Sequence, residues 1–179
     1  MKNQAIHDLI NEATLRPWLQ PMPVTPVSHV SPERSASGKS TTGRHVFHRP
    51  VRFADIDAHG HVNNVRFLDY LEDARIALFF DFLRKTRNDA HPETSMVSVA
   101  VARHQVDYRR PLLFRHGVVQ VESWVTKIGQ VRFELAAEIR NEEEVFAEAR
   151  SLIVAYDPET AGLRRFTAEE HAFLRRYVA

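Results

Sequence analysis

The residues best equipped for chemistry lie in one short segment, residues 53–64, which holds two carboxylates, two imidazoles, a glycine and two amides. Gly60 has an unrestricted φ and lets the chain turn sharply. Asn63 is a good helix N-cap, so the N–H groups of Asn64 and Val65 are expected to point out of the helix start. Such a donor stabilises a carbonyl oxygen that gains negative charge, while a nearby carboxylate attacks that carbonyl or activates water. The segment therefore predicts attack on an acyl carbonyl.

Within this segment Asp57 is the preferred reactive carboxylate, and Asp55 is expected to orient the loop. His61 is expected either to hydrogen-bond the nucleophile or substrate or to hold the turn, and the residues leave both alternatives open. His59 is a further candidate for substrate contact. Two histidines around a glycine-containing turn share neither a helix face nor a strand face with certainty, and these are the usual arrangements of metal ligands. No metal site is expected.

The elements around this segment indicate an α+β domain. A strand over residues 45–54, interrupted by Pro50, leads into it, and a helix from Asn64 to about Lys85 leaves it. Four strands with alternating apolar residues follow, with a hairpin at Gly129-Gln130 between the second and third. A capping box begins a C-terminal helix. The alternating runs begin near Val97, Val119, Val131 and Val145, and the capping box spans Thr167 to Glu170.

The long helix has apolar residues on most of its sides, so it is expected to be largely buried. Its polar side is a narrow stripe with spacings of three and four residues. The stripe consists of Arg66, Asp69 and Asp73, and the apolar residues include Val65, Leu68, Leu71, Phe79, Phe80, Phe82 and Leu83.

The first 43 residues differ in composition from the remainder. Five of the nine prolines lie between Pro17 and Pro32. Prolines at this density remove hydrogen-bond donors, so residues 17–43 are expected to be extended, loop-like or partly disordered after a short helix over residues 5–16. We therefore predict an N-terminal extension over residues 1–43 and a domain over residues 44–179.

The composition argues against several classes of function. Twenty-four basic and twenty-three acidic residues leave a formal charge of +1, which indicates neither a nucleic-acid nor an anionic-membrane partner. The lack of cysteine excludes disulfides and thiol catalysis and fits a reducing cytoplasm. The chain has no stretch typical of a signal peptide and no run of roughly 20 apolar residues. These features predict a cytoplasmic protein.

The run from Asp55 to Arg75 resembles the signature of the 4-hydroxybenzoyl-CoA thioesterase-like hot-dog proteins. It reads Asp-Ile-Asp-Ala-His-Gly-His-Val-Asn-Asn, then after one residue Arg-Phe-Leu-Asp-Tyr-Leu-Glu-Asp-Ala-Arg. The resemblance extends to the order of elements over residues 44–156. It implies a hot-dog fold, a long central helix wrapped by a five-stranded antiparallel sheet. It also implies a hydrolase that cleaves acyl thioesters, above all acyl-CoA to free acid and CoA.

The same resemblance assigns catalytic roles by position. The family's catalytic aspartate falls on Asp57, and its oxyanion donor falls on the backbone N–H of Asn64. The His-Val-Asn-Asn form is also similar to plant acyl-ACP thioesterases, whose histidine is matched by His61. Those enzymes have asparagine where His59 stands and an acidic residue where Pro111 stands. These two differences favour the simpler bacterial aspartate scheme.

Further candidates for substrate binding lie in the turn, on the helix and on the later strands. Arginine's planar fork suits phosphate, so the arginines are candidates for the nucleotide phosphates of CoA. Glu72 is the second choice of catalytic acid, because some hot-dog thioesterases use a helix glutamate from the opposite subunit. The alternative role for Glu72 is an ion pair with Arg75, three residues later on the helix. The candidates are Asn63, His59, Glu72, Arg103, Arg109 and Arg110.

The resemblance also implies a homodimer or a dimer of dimers with active sites between subunits. CoA would be the leaving group rather than a cofactor, and no cofactor is expected. Two alternatives stay open: a non-catalytic module that binds acyl-CoA or acyl-ACP, and a dehydratase acting on 3-hydroxyacyl thioesters. Acyl preference is expected to depend on pocket depth. The helix residues expected to set it include Phe67, Tyr70, Leu71 and Ala74.

Overall fold

The computed structural model of the protein describes residues 38–39, 43–86, 98–157, 159–160 and 162–179. The expected helix over residues 5–16 and the proline-rich stretch up to residue 37 lie outside these ranges. So does Val97, where the second long strand was expected to begin. The predicted boundary between extension and domain stays a prediction.

Seven strands and two α-helices make up the described part of the chain, with two short 3₁₀ turns at Phe53–Asp55 and Phe114–His116. In chain order the elements are β1 (Gly38–Lys39), β2 (His45–Pro50), α1 (Asn64–Thr86), β3 (Val99–Tyr108), β4 (Val118–Ile128), β5 (Arg132–Arg140), β6 (Val145–Asp157), β7 (Gly162–Leu163) and α2 (Ala168–Arg175).

The strands form one antiparallel sheet in the order β1-β2-β4-β5-β6-β3, and β7 pairs with the end of β6. Five strands are long, and β1 and β7 have two residues each. The sheet curls against α1, so the predicted hot-dog architecture is confirmed. The predicted hairpin is also confirmed, because the Gly129 N–H donates to the Arg132 carbonyl at 2.8 Å between β4 and β5.

The first long strand is shorter than predicted. It ends at Pro50, and Ala54 lies in the 3₁₀ turn rather than in the strand. Proline has no N–H to continue a ladder. The Val51 N–H then donates to the Gly117 carbonyl at 2.7 Å, and the Arg52 N–H donates to the Asp55 carboxylate. These contacts turn the chain away from the sheet toward the segment before α1.

Helix α1 begins at the predicted residue, but the prediction that it is largely buried is wrong for one side. The sheet covers only the side that carries Phe67, Tyr70 and Ala74, which are buried. On another side apolar residues are exposed, and Phe80 is 55% accessible. The exposed apolar side of α1 consists of Val65, Leu68, Ile76 and Phe80.

The core consists of two apolar clusters along α1. The first half of the helix packs with β2, β4, β5 and β6 next to the polar turn. The second half packs with the strands and with α2, through contacts such as Phe82 against Phe173 at 4.9 Å between ring centroids. The predicted capping box of α2 is confirmed, with the Thr167 hydroxyl accepting the Glu170 N–H at 3.2 Å. Neither α1 nor α2 has the length and hydrophobicity needed to span a bilayer.

Candidate active site

A tight turn between the Phe53–Asp55 3₁₀ turn and α1 holds Asp57. The Asp57 N–H donates to the His61 carbonyl at 2.9 Å, and the Gly60 N–H donates to the Asp57 carbonyl at 3.0 Å. Gly60 has φ of 81°, which a side chain would make unfavourable. One carboxylate oxygen of Asp57 accepts the His59 N–H at 2.8 Å. The turn therefore fixes the partly exposed carboxylate of Asp57 through its own backbone.

Asp55 has a different environment, because its carboxylate is buried. It accepts hydrogen bonds from the Arg52 guanidinium at 2.7 Å and from the Tyr70 hydroxyl at 2.8 Å. Burial alone raises the pKa of Asp55, but the hydrogen bonds from Arg52 and Tyr70 outweigh burial and lower its pKa to about 2. The Asp55 carbonyl also accepts the Asn63 N–H at 2.9 Å. Asp55 thus ties the turn to the start of α1, as expected of a loop-orienting residue.

The start of α1 presents backbone N–H groups toward the turn. The Asn63 side-chain oxygen accepts the Val65 N–H at 3.0 Å, which is the geometry of an N-cap. Among the described residues no acceptor pairs with the Asn64 N–H. The Asn64 carbonyl accepts the Tyr108 hydroxyl at 2.9 Å, which connects the helix start to the end of β3. Of the two N–H groups expected to be exposed, that of Val65 is taken by the cap, and that of Asn64 remains as a positively polarised donor at the start of α1.

A pocket of about 370 Å³ opens at this helix start. It brings together five of the predicted site residues, the catalytic candidates Asp57, Asn64 and His61 and the arginines Arg109 and Arg110. The other lining residues are mostly apolar, so the pocket combines a polar rim with apolar walls. They are Val62, Phe67, Tyr108, Pro111 and Leu112.

The two arginines of the pocket follow directly after β3. Their N–H groups both donate to the Phe146 carbonyl, at 2.8 Å for Arg109 and 3.1 Å for Arg110. The Arg109 side chain pairs with Glu148 at 2.9 Å, which raises its pKa, and Arg110 pairs with Glu144 at 3.3 Å. Both guanidinium groups are exposed, so an incoming phosphate is able to replace these surface partners.

The remaining predicted site residues do not line this pocket. Asn63 acts as the N-cap beside it, and His59 is exposed with its ring stacked on His61 at 6.2 Å. Glu72 forms the alternative ion pair, with Arg75 at 3.2 Å, and lines a second pocket of about 220 Å³ farther along α1. Arg103 lies at a β-bulge within β3. Residue spacing alone did not show that Arg109 and Arg110 line the pocket whereas Arg103 does not.

Three of the four helix residues expected to set pocket depth lie elsewhere. Only Phe67 lines the pocket, while Tyr70, Leu71 and Ala74 are buried in the core. Two functional contacts were missed from sequence: Tyr70 bound to Asp55, and Tyr108 bound to Asn64. A signal for Tyr70 existed, since it shares a helix side with Phe67 and Ala74, and a tyrosine on an apolar helix side needs a partner for its hydroxyl. The contact between Tyr108 and Asn64 depends on where β3 lies relative to α1, which only the fold provides.

Among the described residues no group of three or more His, Cys, Asp or Glu side chains is arranged to hold a metal ion. The turn carries Asp57, His59 and His61, and its two histidine rings lie stacked on each other with an interplanar angle of 21°.

Comparisons with known proteins agree with the fold. The model of the thioesterase-like superfamily matches residues 51–174. A predicted thioesterase from Bacillus stearothermophilus superposes with a TM-score of 0.65 and 22% identity, covering 76% of this chain and 97% of its own. A thioesterase from Thermus thermophilus complexed with coenzyme A and Zn has a TM-score of 0.59 and 27% identity, covering 73% and 90%. A probable thioesterase from Escherichia coli has a TM-score of 0.57 and 25% identity, covering 75% and 98%. No curated protein matches the chain.

Proposed function

The chain belongs to the thioesterase-like superfamily, and we propose that it hydrolyses acyl-CoA thioesters to the free acid and CoA. One observation carries this proposal: the Asp57 carboxylate and the start of α1 at Asn64 line the same pocket. Hydrolysis of a thioester requires a group that activates water or attacks the carbonyl, and donors for the oxyanion that forms. The turn offers both within a few residues.

In the proposed mechanism the thioester carbonyl oxygen accepts the Asn64 N–H. Asp57 either takes a proton from water as that water attacks the carbonyl carbon, or attacks the carbon itself to give an anhydride that water then opens. The tetrahedral oxyanion is stabilised by the N–H and by the positive end of the helix dipole. The C–S bond then breaks and the CoA thiolate leaves. His61, which also lines the pocket, hydrogen-bonds the nucleophile or the substrate.

The choice of CoA as carrier draws on the arginines and on one relative. Arg109 and Arg110 lie at the rim of the pocket with exposed guanidinium groups, which suit the phosphates of a nucleotide. The Thermus thermophilus thioesterase was crystallised with coenzyme A. An acyl carrier protein is the alternative carrier of the same acyl thioester. We assign CoA a role as substrate and leaving group, not as a cofactor.

We further propose that the protein acts in the cytoplasm as a homodimer or a dimer of dimers. Its lack of cysteine accords with a reducing compartment. The edge strand β3 has ten residues and pairs on one side only, with β6, among the described strands. Unpaired strand edges and exposed apolar helix sides favour association. Residues 44–179 would form the catalytic domain and residues 1–43 an extension to it.

The proposal is tested by thiol release from a series of acyl-CoA substrates. We expect wild type to release CoA and Asp57→Asn to lose about 10²- to 10⁴-fold in kcat, because the amide neither accepts a proton nor attacks the carbonyl. Asp69→Asn is the matched control, since Asp69 is a carboxylate on α1 that pairs with Arg66 outside the pocket. It should retain wild-type kcat.

Three results would overturn parts of this proposal. If wild type releases no thiol from any acyl-CoA but binds these molecules, the protein is a binding module. If it instead removes water from 3-hydroxyacyl-CoA, it is a dehydratase. If Asp57→Asn keeps full activity, the hydrolase assignment survives and the role of Asp57 is wrong.

A further inference from the structure

Tyr108 occupies a position at the pocket that the reaction described above does not use. It is the last residue of β3, and its hydroxyl donates to the Asn64 carbonyl at 2.9 Å. Its ring meets the ring of Phe67 edge to face, with centroids 5.3 Å apart and planes at 88°. The Tyr108 side chain is 48% exposed, whereas Phe67 is buried. Both residues line the pocket.

These contacts place the Tyr108 ring between the start of α1 and the end of β3. Tyr108 pairs with Ala147 in the sheet, and Ala147 is buried on the side that faces α1. The next apolar residues on the same sides of these two elements are Leu71, one helical turn after Phe67, and Val106, two residues before Tyr108. Both pack in the first core cluster. Tyr108 and Phe67 therefore form one apolar wall of the pocket, where the pocket adjoins the first core cluster.

We propose that Tyr108 is a specificity-determining residue whose ring, held by the hydroxyl bond to Asn64 and by Phe67, limits the length of the acyl group. This inference rests on the proposed function, because it assumes that the acyl carbonyl lies at the Asn64 N–H. From that point an acyl chain enters the apolar part of the pocket and meets the edge of the Tyr108 ring. The intact protein accordingly favours short acyl groups.

Replacement of the ring is expected to lengthen the pocket. Tyr108→Ala removes the ring and leaves a space the size of an aromatic side chain beside Phe67, which additional methylene groups can fill. Each methylene that enters an apolar site contributes about fourfold in affinity. The preference for dodecanoyl-CoA over butanoyl-CoA should therefore rise by about tenfold or more. Tyr108→Phe keeps the ring and its contact with Phe67, so it should retain the wild-type preference.

The experiment compares kcat/KM for butanoyl-CoA and dodecanoyl-CoA in wild type, Tyr108→Ala and Tyr108→Phe. Tyr156→Ala is the matched control, because Tyr156 lies on β6 next to β7 and does not line the pocket. Calorimetry with the corresponding 2-oxoalkyl-CoA thioethers, which cannot be hydrolysed, measures the same preference as affinity. This second readout does not require turnover, so it tests the role of Tyr108 even in a protein without hydrolase activity.

A rise in the preference for the longer chain in Tyr108→Ala alone supports the proposal. It is overturned if Tyr108→Ala changes both substrates equally, which is the result expected of a purely structural residue. It is also overturned if Tyr108→Phe or Tyr156→Ala shifts the preference as much as Tyr108→Ala. Absence of thiol release together with a shifted thioether preference would reject the hydrolase proposal and leave the role of Tyr108 intact.

Discussion

At the scale of single residues, the two aspartates of the turn have opposite environments. Asp55 is buried and accepts hydrogen bonds from Arg52 and Tyr70, whereas the Asp57 carboxylate faces the pocket. Buried hydrogen bonds keep a carboxylate ionised and fixed in place, which suits a structural role. A reactive carboxylate needs access to water and substrate. The difference supports the choice of Asp57 over Asp55 as the reactive group.

The environment of Asp55 makes the stability of the protein depend on acid pH. Its pKa of about 2 lies below the usual 3.8, so its ionised form stabilises the fold fully above about pH 4. This contribution, about 2 kcal/mol, is lost as the pH falls from about 4 to 2. We expect Asp55→Asn to lower the free energy of unfolding at neutral pH and to remove this part of the pH dependence.

Urea unfolding at several pH values between neutrality and the acid limit of the folded state measures both effects. Tyr70→Phe provides a second variant, since it removes one hydrogen bond to Asp55 and should give a smaller loss in the same direction. An Asp55→Asn protein with the wild-type pH dependence would contradict the assignment.

At the scale of secondary structure, the start of α1 is held from three directions. The Asn63 side chain caps the first turn, the Asp55 carbonyl holds the Asn63 N–H, and the Tyr108 hydroxyl holds the Asn64 carbonyl. These bonds fix the direction of the Asn64 N–H before substrate binds. An oxyanion donor is effective because it is oriented in advance and needs no rearrangement during the reaction.

Asn64→Pro tests this donor, because proline lacks the N–H and is well tolerated at the first position of a helix. Asn64→Ala keeps the N–H and is the matched control. We expect Asn64→Pro to lower kcat by about 10²- to 10³-fold relative to Asn64→Ala. Thermal unfolding should show that both variants are folded with similar stability. Equal kcat values in the two folded variants would show that another group stabilises the oxyanion.

At the scale of the whole molecule, the described residues leave the apolar side of α1 exposed and the edge strand β3 paired on one side only. An interface between two copies would bury this side of α1 and pair this strand edge. Val65, on this side of α1, directly follows Asn64, whose N–H is the proposed oxyanion donor. Association through it would therefore affect catalysis as well as stability.

Light scattering after size-exclusion chromatography should give at least twice the mass of the 20.6 kDa chain. Two charges on the apolar side, Ile76→Asp with Phe80→Asp, should shift the protein to the monomer and lower its activity. Phe53→Asp is the control, because Phe53 is an exposed aromatic on the 3₁₀ turn rather than on α1. The proposed oligomer is rejected if the wild-type protein is a monomer with full activity.

Local physics was enough to predict much of this protein from its sequence. The cap at Asn63, the turn at Gly60, the hairpin at Gly129 and the capping box at Thr167 each depend on neighbours within a few residues. Alternation of apolar residues predicted the long strands, because side chains on a strand face opposite sides of the sheet. These signals predicted an α+β domain and pointed to the segment that carries Asp57, while the hot-dog fold was implied by the resemblance of residues 55–75 to a known family.

Tertiary structure alone decided which distant side chains reach that segment. Tyr70 meets Asp55 across fifteen positions of sequence, and Tyr108 meets Asn64 across forty-four. Arg109 and Arg110 reach the pocket while Arg103, on the same strand run, does not. Pairing of β3 with β6 sets these positions, together with the side of α1 that the sheet covers. Contacts of this kind depend on how the elements pack, a property that residue spacing along the chain does not contain.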